Sequence, residues 1–402
     1  MRKNKILIID LEYCFENANT MIVERITRLL QMKYDVDVAT YDIGKKNRLE
    51  TRDSGVIKIP YYSLKKTVNT AKIGVGDIIR LGLYYLKKKT IKSLFNEKDV
   101  KYFVNEIGEK RIKEYDLIVS FSNPFTSHVV ASLLSRRHNL PWIAYYFDPF
   151  FSNSTLNKKG LLKRKKFEEK VVNTANVLML TYPTDKDYID RKFEYTNRIV
   201  KAEMPGIHTD IYVGCKKKHK IPIQCYFIGN LYADIRNPEW VVKLFSCLED
   251  VADLSFVGGC YGDKKVLNGI KGENIHYLGK KKQEELMKIY EEADVLINIG
   301  NLVTNQMPSK IFEYISLGKP IINIYKNKEC PTLEYTPKYP ISIDIYEEDI
   351  KSNINEVAQV VKDFFQKCSN LSVSREEINN LFDENRDLSV ADRLINEIER
   401  LI

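Results

Sequence analysis

The sequence predicts an α/β fold built from two Rossmann-like halves, and three observations carry that prediction. Short apolar runs of strand length alternate with amphipathic runs of helical length along the chain. The alternation breaks once, near 205–221, where Pro205, Gly206, Gly214 and Pro222 surround a basic cluster, and then restarts. A length of 402 residues accommodates two domains at roughly 150 residues each.

Taken in order, KILIID (5–10) is a first strand, followed by a helical stretch with Met21, Ile22, Ile26, Leu29 and Leu30 near one face. VDVATY (36–41) is the next strand. The region 45–115 is less regular and is expected to carry helical insertions. Strands DLIVSF (116–121) and WIAYYF (142–147) flank a helix at 126–138, and VLMLTY (177–182) continues the series. After the break come a strand at 223–229, a helix at 238–250 with Pro238 in its first turn, and strands at 254–259 and 274–279. A helix at 283–293, a strand at 294–300, a helix at 308–318 stopped by Gly318 and a strand at 319–325 follow, and 388–402 is a final amphipathic helix. Such alternation implies parallel sheets covered on both faces, with ligands at the carboxyl ends of the strands. The predicted domains are 1–205, 206–385 and the terminal helix 386–402.

Composition narrows the class. Hydrophobic residues at 44% and charged residues at 29% exclude a largely disordered chain. No apolar run reaches the ~18 residues that span a bilayer, and the first ten residues lack the apolar stretch and cleavage site of a signal peptide. A cytoplasmic location is the expectation. Seven cysteines without a CxxC pair argue against zinc ribbons and redox centres. The net charge of +9 is uneven: 61–115 carries +7 and 156–170 carries +5. Both windows have apolar neighbours, LGLYYLKKKTIKSLF at 81–95 and FDPFF at 147–151. Basic residues beside exposed aromatics suit an anionic membrane surface, whereas a solvated helix face accounts for the same charges. No nucleic-acid-binding pattern is present, so nucleic acid is not an expected partner.

The sharpest constellation is NIGNLVTNQMPSKIFEYISLGKPIIN. A strand ends, a polar loop follows, and a helix begins at Pro308 or Ser309. Free amides and the dipole of a first helical turn attract anions. Ser309 adds a hydroxyl and Lys310 a charge. Glu313 lies one turn deeper, where a carboxylate accepts two hydrogen bonds from a vicinal diol. That combination fits a nucleoside diphosphate. A plain αβ unit with a capping serine and a surface glutamate fits the same residues.

The segment from Glu313 to Ile322, together with Pro308, Ser309 and Lys310, resembles the nucleotide-sugar motif of the glycosyl transferases group 1 (family 4) superfamily. FIGNLYADIRNPEW (227–240), FVGG (256–259) and IHYLGKKKQEELMKIYEEADVLIN (275–298) are similar to the neighbouring stretches of that family. MPGIHTD (204–210) resembles its hinge-side element, with Pro205, Gly206, Ile207 and Asp210 placed suitably. The resemblance covers most of 223–325 and is looser over 1–205. It implies the GT-B fold, two Rossmann-like domains facing a central cleft, with the C-terminal helix packing back toward the N-terminal domain. It implies donor-binding roles for Gly229, Asn230, Arg236, Gly258, Tyr277, Leu278, Met307, Pro308, Ser309, Lys310 and Glu313, with Glu313 on the ribose and Arg236 on the diphosphate. The family's first glutamate is replaced here by Asn305, a position that helps hold the donor sugar. AYYFDPF (144–150) resembles a strand-end segment of these enzymes and makes Asp148 a candidate contact to the acceptor or the donor sugar, and a candidate base, although an Asp-Pro turn explains it equally. Ser120 and Asn123 are weaker cleft candidates. The loop after the first strand lacks the family's glycine pair, and Asn17 and Asn19 are expected to serve its turn.

Two DxD sequences, at 35–37 and 185–187, match the metal-holding motif of GT-A enzymes. The first starts a strand and the second is expected to cap a helix, so no metal is predicted. The reading is a metal-independent, retaining glycosyltransferase. Its donor is a UDP- or GDP-linked sugar, no cofactor is needed, and its acceptor is a lipid-linked or growing cell-surface glycan, with peripheral contact to an anionic membrane. The alternative is a catalytically silent GT-B-like partner of another transferase, motivated by Asn305 and the missing glycine turn.

Overall fold

The computed structural model describes residues 3–14, 18–42, 55–60, 97–122, 124–153, 156, 160–215, 221–262, 264–368 and 370–402. The chain divides into two compact units, Met1–Pro205 with Asp387–Ile402, and Gly206–Arg386. Asn17, Asn123 and the basic stretch 81–95 lie outside the described residues.

The first unit runs β1 (Lys5–Ile9), α1 (Ala18–Gln31), β2 (Asp35–Asp42), β3 (Val56–Pro60), α2 (Glu97–Lys110), β4 (Leu117–Phe121), α3 (Thr126–His138), β5 (Trp142–Tyr146), α4 (Leu161–Val172), β6 (Val177–Thr181), α5 (Tyr182–Asp190) and β7 (Arg198–Ala202). The strands form one parallel sheet in the order β3-β2-β1-β4-β5-β6-β7. Every residue of β4, β5 and β6 is buried, as both faces of a helix-covered parallel sheet require. β3 and β7 are the edges, and their mixed polarity reflects one-sided pairing.

The second unit runs β8 (Ile223–Ile228), β9 (Leu231–Tyr232), α6 (Glu239–Ser246), β10 (Ala252–Val257), β11 (Cys260–Tyr261), α7 (Lys264–Gly269), β12 (Ile275–Gly279), α8 (Gln283–Glu292), β13 (Val295–Ile299), α9 (Lys310–Leu317), β14 (Ile321–Tyr325), β15 (Ser342–Tyr346), α10 (Glu347–Ser352), α11 (Ile354–Cys368) and α12 (Arg375–Leu381). Its main sheet is parallel, in the order β12-β10-β8-β13-β14-β15, and β9 pairs with β11 in a two-stranded ribbon.

The final helix, α13 (Asp387–Glu399), returns to the first unit, as the GT-B resemblance implies. It buries Val390, Ala391, Leu394 and Ile398. Arg25 of α1 holds Asp387 at 2.6 Å, and the buried Glu397 receives Arg198 of β7 through both Nε (2.9 Å) and Nη2 (3.1 Å). A two-pronged guanidinium–carboxylate contact fixes orientation as well as charge, so this helix has a defined seat.

Three expectations are corrected. Phe147 and Phe151 are fully buried and Phe150 packs against the core, so 147–151 offers no exposed aromatics to a membrane. What remains exposed beside them is Leu162 with Lys163, Lys166 and Lys170 on α4. Asn19 lies inside α1 and is no turn residue. Asp185 sits in the first turn of α5 and does not cap it. Neither DxD presents a free carboxylate pair. Asp35 and Asp37 pair with Lys5, and Asp187 takes Arg191 and Ser152. Among the described residues no helix is long and apolar enough to cross a membrane.

Candidate functional site

In an open parallel sheet, neighbouring strands whose connections leave in opposite directions open a crevice at their carboxyl ends. In the second unit that point falls between β8 and β13. β8 is followed by Gly229 and Asn230, and β13 by Gly300 and Asn301. Arg236 spans the gap. Its Nε and Nη2 donate to Asn301 Oδ1 at 3.1 and 2.8 Å, and its Nη1 donates to the Asn230 carbonyl at 3.4 Å. Asn301 in turn donates to the Gln306 carbonyl at 3.2 Å, which folds the 302–306 loop back on itself. The guanidinium is half-buried, and burial pushes its pKa below the ordinary arginine value. Among the described residues it has no carboxylate partner. A desolvated cation without a counter-charge costs free energy, and a bound anion removes that cost.

Two glycine turns wall the same crevice. The Gly259 amide donates to Asn230 Oδ1 at 2.9 Å, and Tyr277 Oη donates to the Gly258 carbonyl at 2.9 Å. Gly258 adopts φ 138°, and a Cβ there would stand 2.0 Å from the Gly229 carbonyl oxygen. Gly229 has far more room, its nearest neighbour being the tip of the Phe227 ring at 3.3 Å. The close approach of the two turns therefore depends on Gly258 and not on Gly229. Leu278 is solvent-exposed beside Tyr277.

The helix carrying the predicted anion site begins at Lys310, not at Pro308 or Ser309. Ile311 and Phe312 donate to the Pro308 and Ser309 carbonyls in a tight first turn. Met307, Pro308 and Asn305 are buried in the loop ahead of it. Glu313 follows one turn in. Burial raises the pKa of its carboxyl, but the Lys310 charge, hydrogen bonds from Lys310 and Tyr290, and the nearby His208 together hold it below the ordinary glutamate value. Lys310 and Tyr290 each occupy one carboxylate oxygen. Each oxygen keeps a second lone-pair direction, so a diol can still be accepted alongside them.

The sequence reading missed the residues that hold this arrangement. Tyr314 ties α9 to the end of β8, accepting from the Ile228 amide at 2.7 Å and donating to its carbonyl at 3.2 Å. Lys319 is buried, and its ammonium caps the carboxyl end of α8, bonding the Ala293 and Glu291 carbonyls. That contact seats Tyr290 against Glu313. His208 is fixed on α9 through Ser316 (3.1 Å), and Gly206 abuts Phe312 so closely that a Cβ would come within 2.8 Å. Tyr290 and Tyr314 read in the sequence as helix-face aromatics, and only tertiary contact gives their hydroxyls a role.

In the first unit Asp148 lies at the carboxyl end of β5, half-buried. Burial raises its pKa from the ordinary aspartate value to about 6. Ser120 is corrected: it is fully buried, accepts from Trp142 Nε1 at 2.7 Å and bonds His128 Nδ1 at 2.7 Å, so it is a core residue.

No family model and no curated protein sequence matches the chain. Solved structures do. Sucrose-phosphate synthase from Thermosynechococcus elongatus superposes with a TM-score of 0.70 at 15% identity, covering 99% of both chains. Anabaena HepE in complex with UDP-glucose gives 0.68 at 12%, covering 98% of this chain and 99% of its own. The lipopolysaccharide outer core galactosyltransferase WaaB gives 0.62 at 11%, covering 99% and 100%. What is shared at these identities is architecture, and the chain has the two-domain GT-B fold.

Proposed function

We propose that the protein is a glycosyltransferase that takes a sugar from a nucleoside-diphosphate donor. The observation that carries this reading is the half-buried Arg236 without an acidic partner, set at the switch point of the second sheet beside two glycine turns and the start of α9. A diphosphate supplies the missing charge, with the Ser309 and Lys310 amides and the Lys310 ammonium as further donors. Glu313 takes the ribose hydroxyls and Tyr277 with Leu278 borders the base. In the reaction the anomeric C–O bond to the diphosphate breaks as an acceptor hydroxyl oxygen bonds to that carbon and loses its proton. We assign Asp148 to that hydroxyl, since a carboxyl titrating at about 6 exists as a base at neutral pH. HepE is solved in complex with UDP and with UDP-glucose, which supports UDP as the first nucleotide to try. A lipid-linked or cell-surface glycan acceptor, reaction with retention, independence from metal and contact with an anionic membrane belong to the same proposal.

Glu313→Ala tests it. Losing the carboxylate removes two charge-assisted hydrogen bonds to the ribose, worth about 1.5–3 kcal/mol each. UDP-glucose turnover per enzyme at subsaturating donor is expected to fall at least ~10-fold. Turnover equal to the parent would remove Glu313 from the donor site.

A second reading, a silent GT-B partner of another transferase, has one observation in its favour: Asn305 stands in place of a carboxylate, and both oxygens of Glu313 are already engaged by the protein. Such a protein would bind UDP without turnover, or would not bind it.

A further inference from the structure

We propose that Glu168 is a positioning residue for Asp148, clamping segment 147–151 so that one carboxylate is held in a fixed, weakly hydrated place. The inference rests on the assignment of Asp148 to the acceptor hydroxyl. It stands on the way both ends of this segment are tied down.

At the first end, the Phe147 amide donates to Ser122 Oγ at 2.9 Å, and the Phe147 carbonyl accepts from Thr181 (2.8 Å) and Thr184 (3.3 Å). At the other end, the Phe151 amide donates to Glu168 Oε2 at 2.7 Å, and the Phe151 carbonyl accepts from Arg164 Nε at 3.1 Å. Tyr188 donates to the remaining oxygen of Glu168. Ser122, Thr181, Thr184, Arg164 and Glu168 are all buried. The rings between them are packed as well: Phe150 stacks on Phe125 at 4.2 Å, and Phe147 on Phe121 at 5.7 Å. Within this clamp, Asp148 has no hydrogen-bond or ion-pair partner among the described residues, and its raised pKa comes from burial with no charged neighbour contributing.

Glu168 is the costly member. It is fully buried, and burial pushes its carboxyl up to about 7 despite hydrogen bonds that oppose the rise. An apolar residue of similar volume would fill the site without that cost. Only an acceptor can hold the Phe151 amide, and a carboxylate there holds the amide and Tyr188 together. Misplacing a reacting group by about 1 Å can cost on the order of 100-fold in rate, so a clamp of this kind has a functional return.

The test is Glu168→Gln in the full chain. The amide keeps the shape but cannot accept from Phe151 and Tyr188 with both of its terminal atoms. Carboxyl NMR should show the Asp148 midpoint moving from about 6 toward the ordinary range near ~4, as water enters the loosened segment. Amide exchange at Phe147 and Phe151 should accelerate, and UDP-glucose turnover should fall about 10-fold or more with UDP affinity unchanged. Tyr188→Phe, which leaves the Phe151 contact in place, serves as a milder second variant and should move the midpoint in the same direction by less. An Asp148 midpoint and exchange rates unchanged in both variants, whatever their thermal stability, would overturn the proposal. Asp148→Asn judges the underlying assignment separately: if it turns over UDP-glucose like the parent, Asp148 is not the acceptor contact, while the midpoint shift in Glu168→Gln still decides whether Glu168 is the clamp.

Discussion

Arg236→Met is expected to weaken UDP binding by ~2–4 kcal/mol, roughly 30- to 700-fold, while the protein stays folded. The two halves of that expectation have one cause. The guanidinium is desolvated and has no carboxylate partner, so its removal takes away a cost along with its hydrogen bonds. The opposing loss is local: Asn301 Oδ1 gives up two donors, and an unsatisfied buried acceptor costs ~1–3 kcal/mol. Those contributions offset one another in the free protein. In the complex nothing replaces the charge facing the diphosphate. Calorimetric titration with UDP, beside a denaturant melt of the same variant, reads both quantities. A variant that loses stability but binds UDP like the parent would make Arg236 a loop brace and no more.

Gly258→Ala is expected to carry the largest stability penalty of any single methyl group added near the site, about 3–5 kcal/mol. Backbone at φ 138° is open to glycine and strained for an L-residue, and the added carbon would stand 2.0 Å from the Gly229 carbonyl oxygen and 2.6 Å from its carbon. Both obstacles are backbone, so no side chain can swing aside. The turns after β8 and β10 would have to separate, breaking the Gly259-to-Asn230 and Tyr277-to-Gly258 contacts. Gly229→Ala is the control: its nearest neighbour is the tip of an aromatic ring at 3.3 Å and its backbone is ordinary, so a cost near 1 kcal/mol or less is expected. Urea midpoints of the two variants measure the contrast. Equal midpoints would mean that the turns are not tightly apposed.

Much of the architecture was legible because buried parallel strands write themselves as apolar runs. KILII, LIVSF, WIAYY, VLMLT and VLINI are each buried over most or all of their length, and each stands out from the polar stretches around it. The strands that escaped notice, β3 (VIKIP), β7 (RIVKA) and β15 (SIDIY), are sheet edges with exposed or half-exposed positions. A five-residue segment paired on one side and partly wet carries neither a continuous apolar run nor a long alternation. The ribbon of β9 and β11, two residues each, is too short to leave any periodic trace.

The site divides in the same way. Gly258, Arg236, Lys310 and Glu313 have side-chain chemistry or backbone freedom that points to a ligand by itself, and the structure sets them around the end of one sheet. Tyr290, Tyr314, Asn301 and Lys319 matter through partners 23 to 86 residues away, as in the Tyr314 hydroxyl on Ile228 and the Arg236 guanidinium on Asn301. Such pairings exist only after the strands are ordered. Ser120 erred in the opposite sense: its place at a strand end looked like a ligand contact, but Trp142 and His128 had already claimed its hydroxyl. Phe147 and Phe151, which beside a lysine-rich stretch looked like membrane anchors, turn inward to hold the segment that presents Asp148.

The direct trial of the whole account is calorimetric titration of UDP into the wild-type chain and into Glu313→Ala. Saturable binding at one site per chain, weakened ~10-fold or more by the substitution, is the predicted result. An absence of binding of UDP and of GDP to the folded wild-type protein would contradict it, because the unpaired Arg236 would then have no anion to meet.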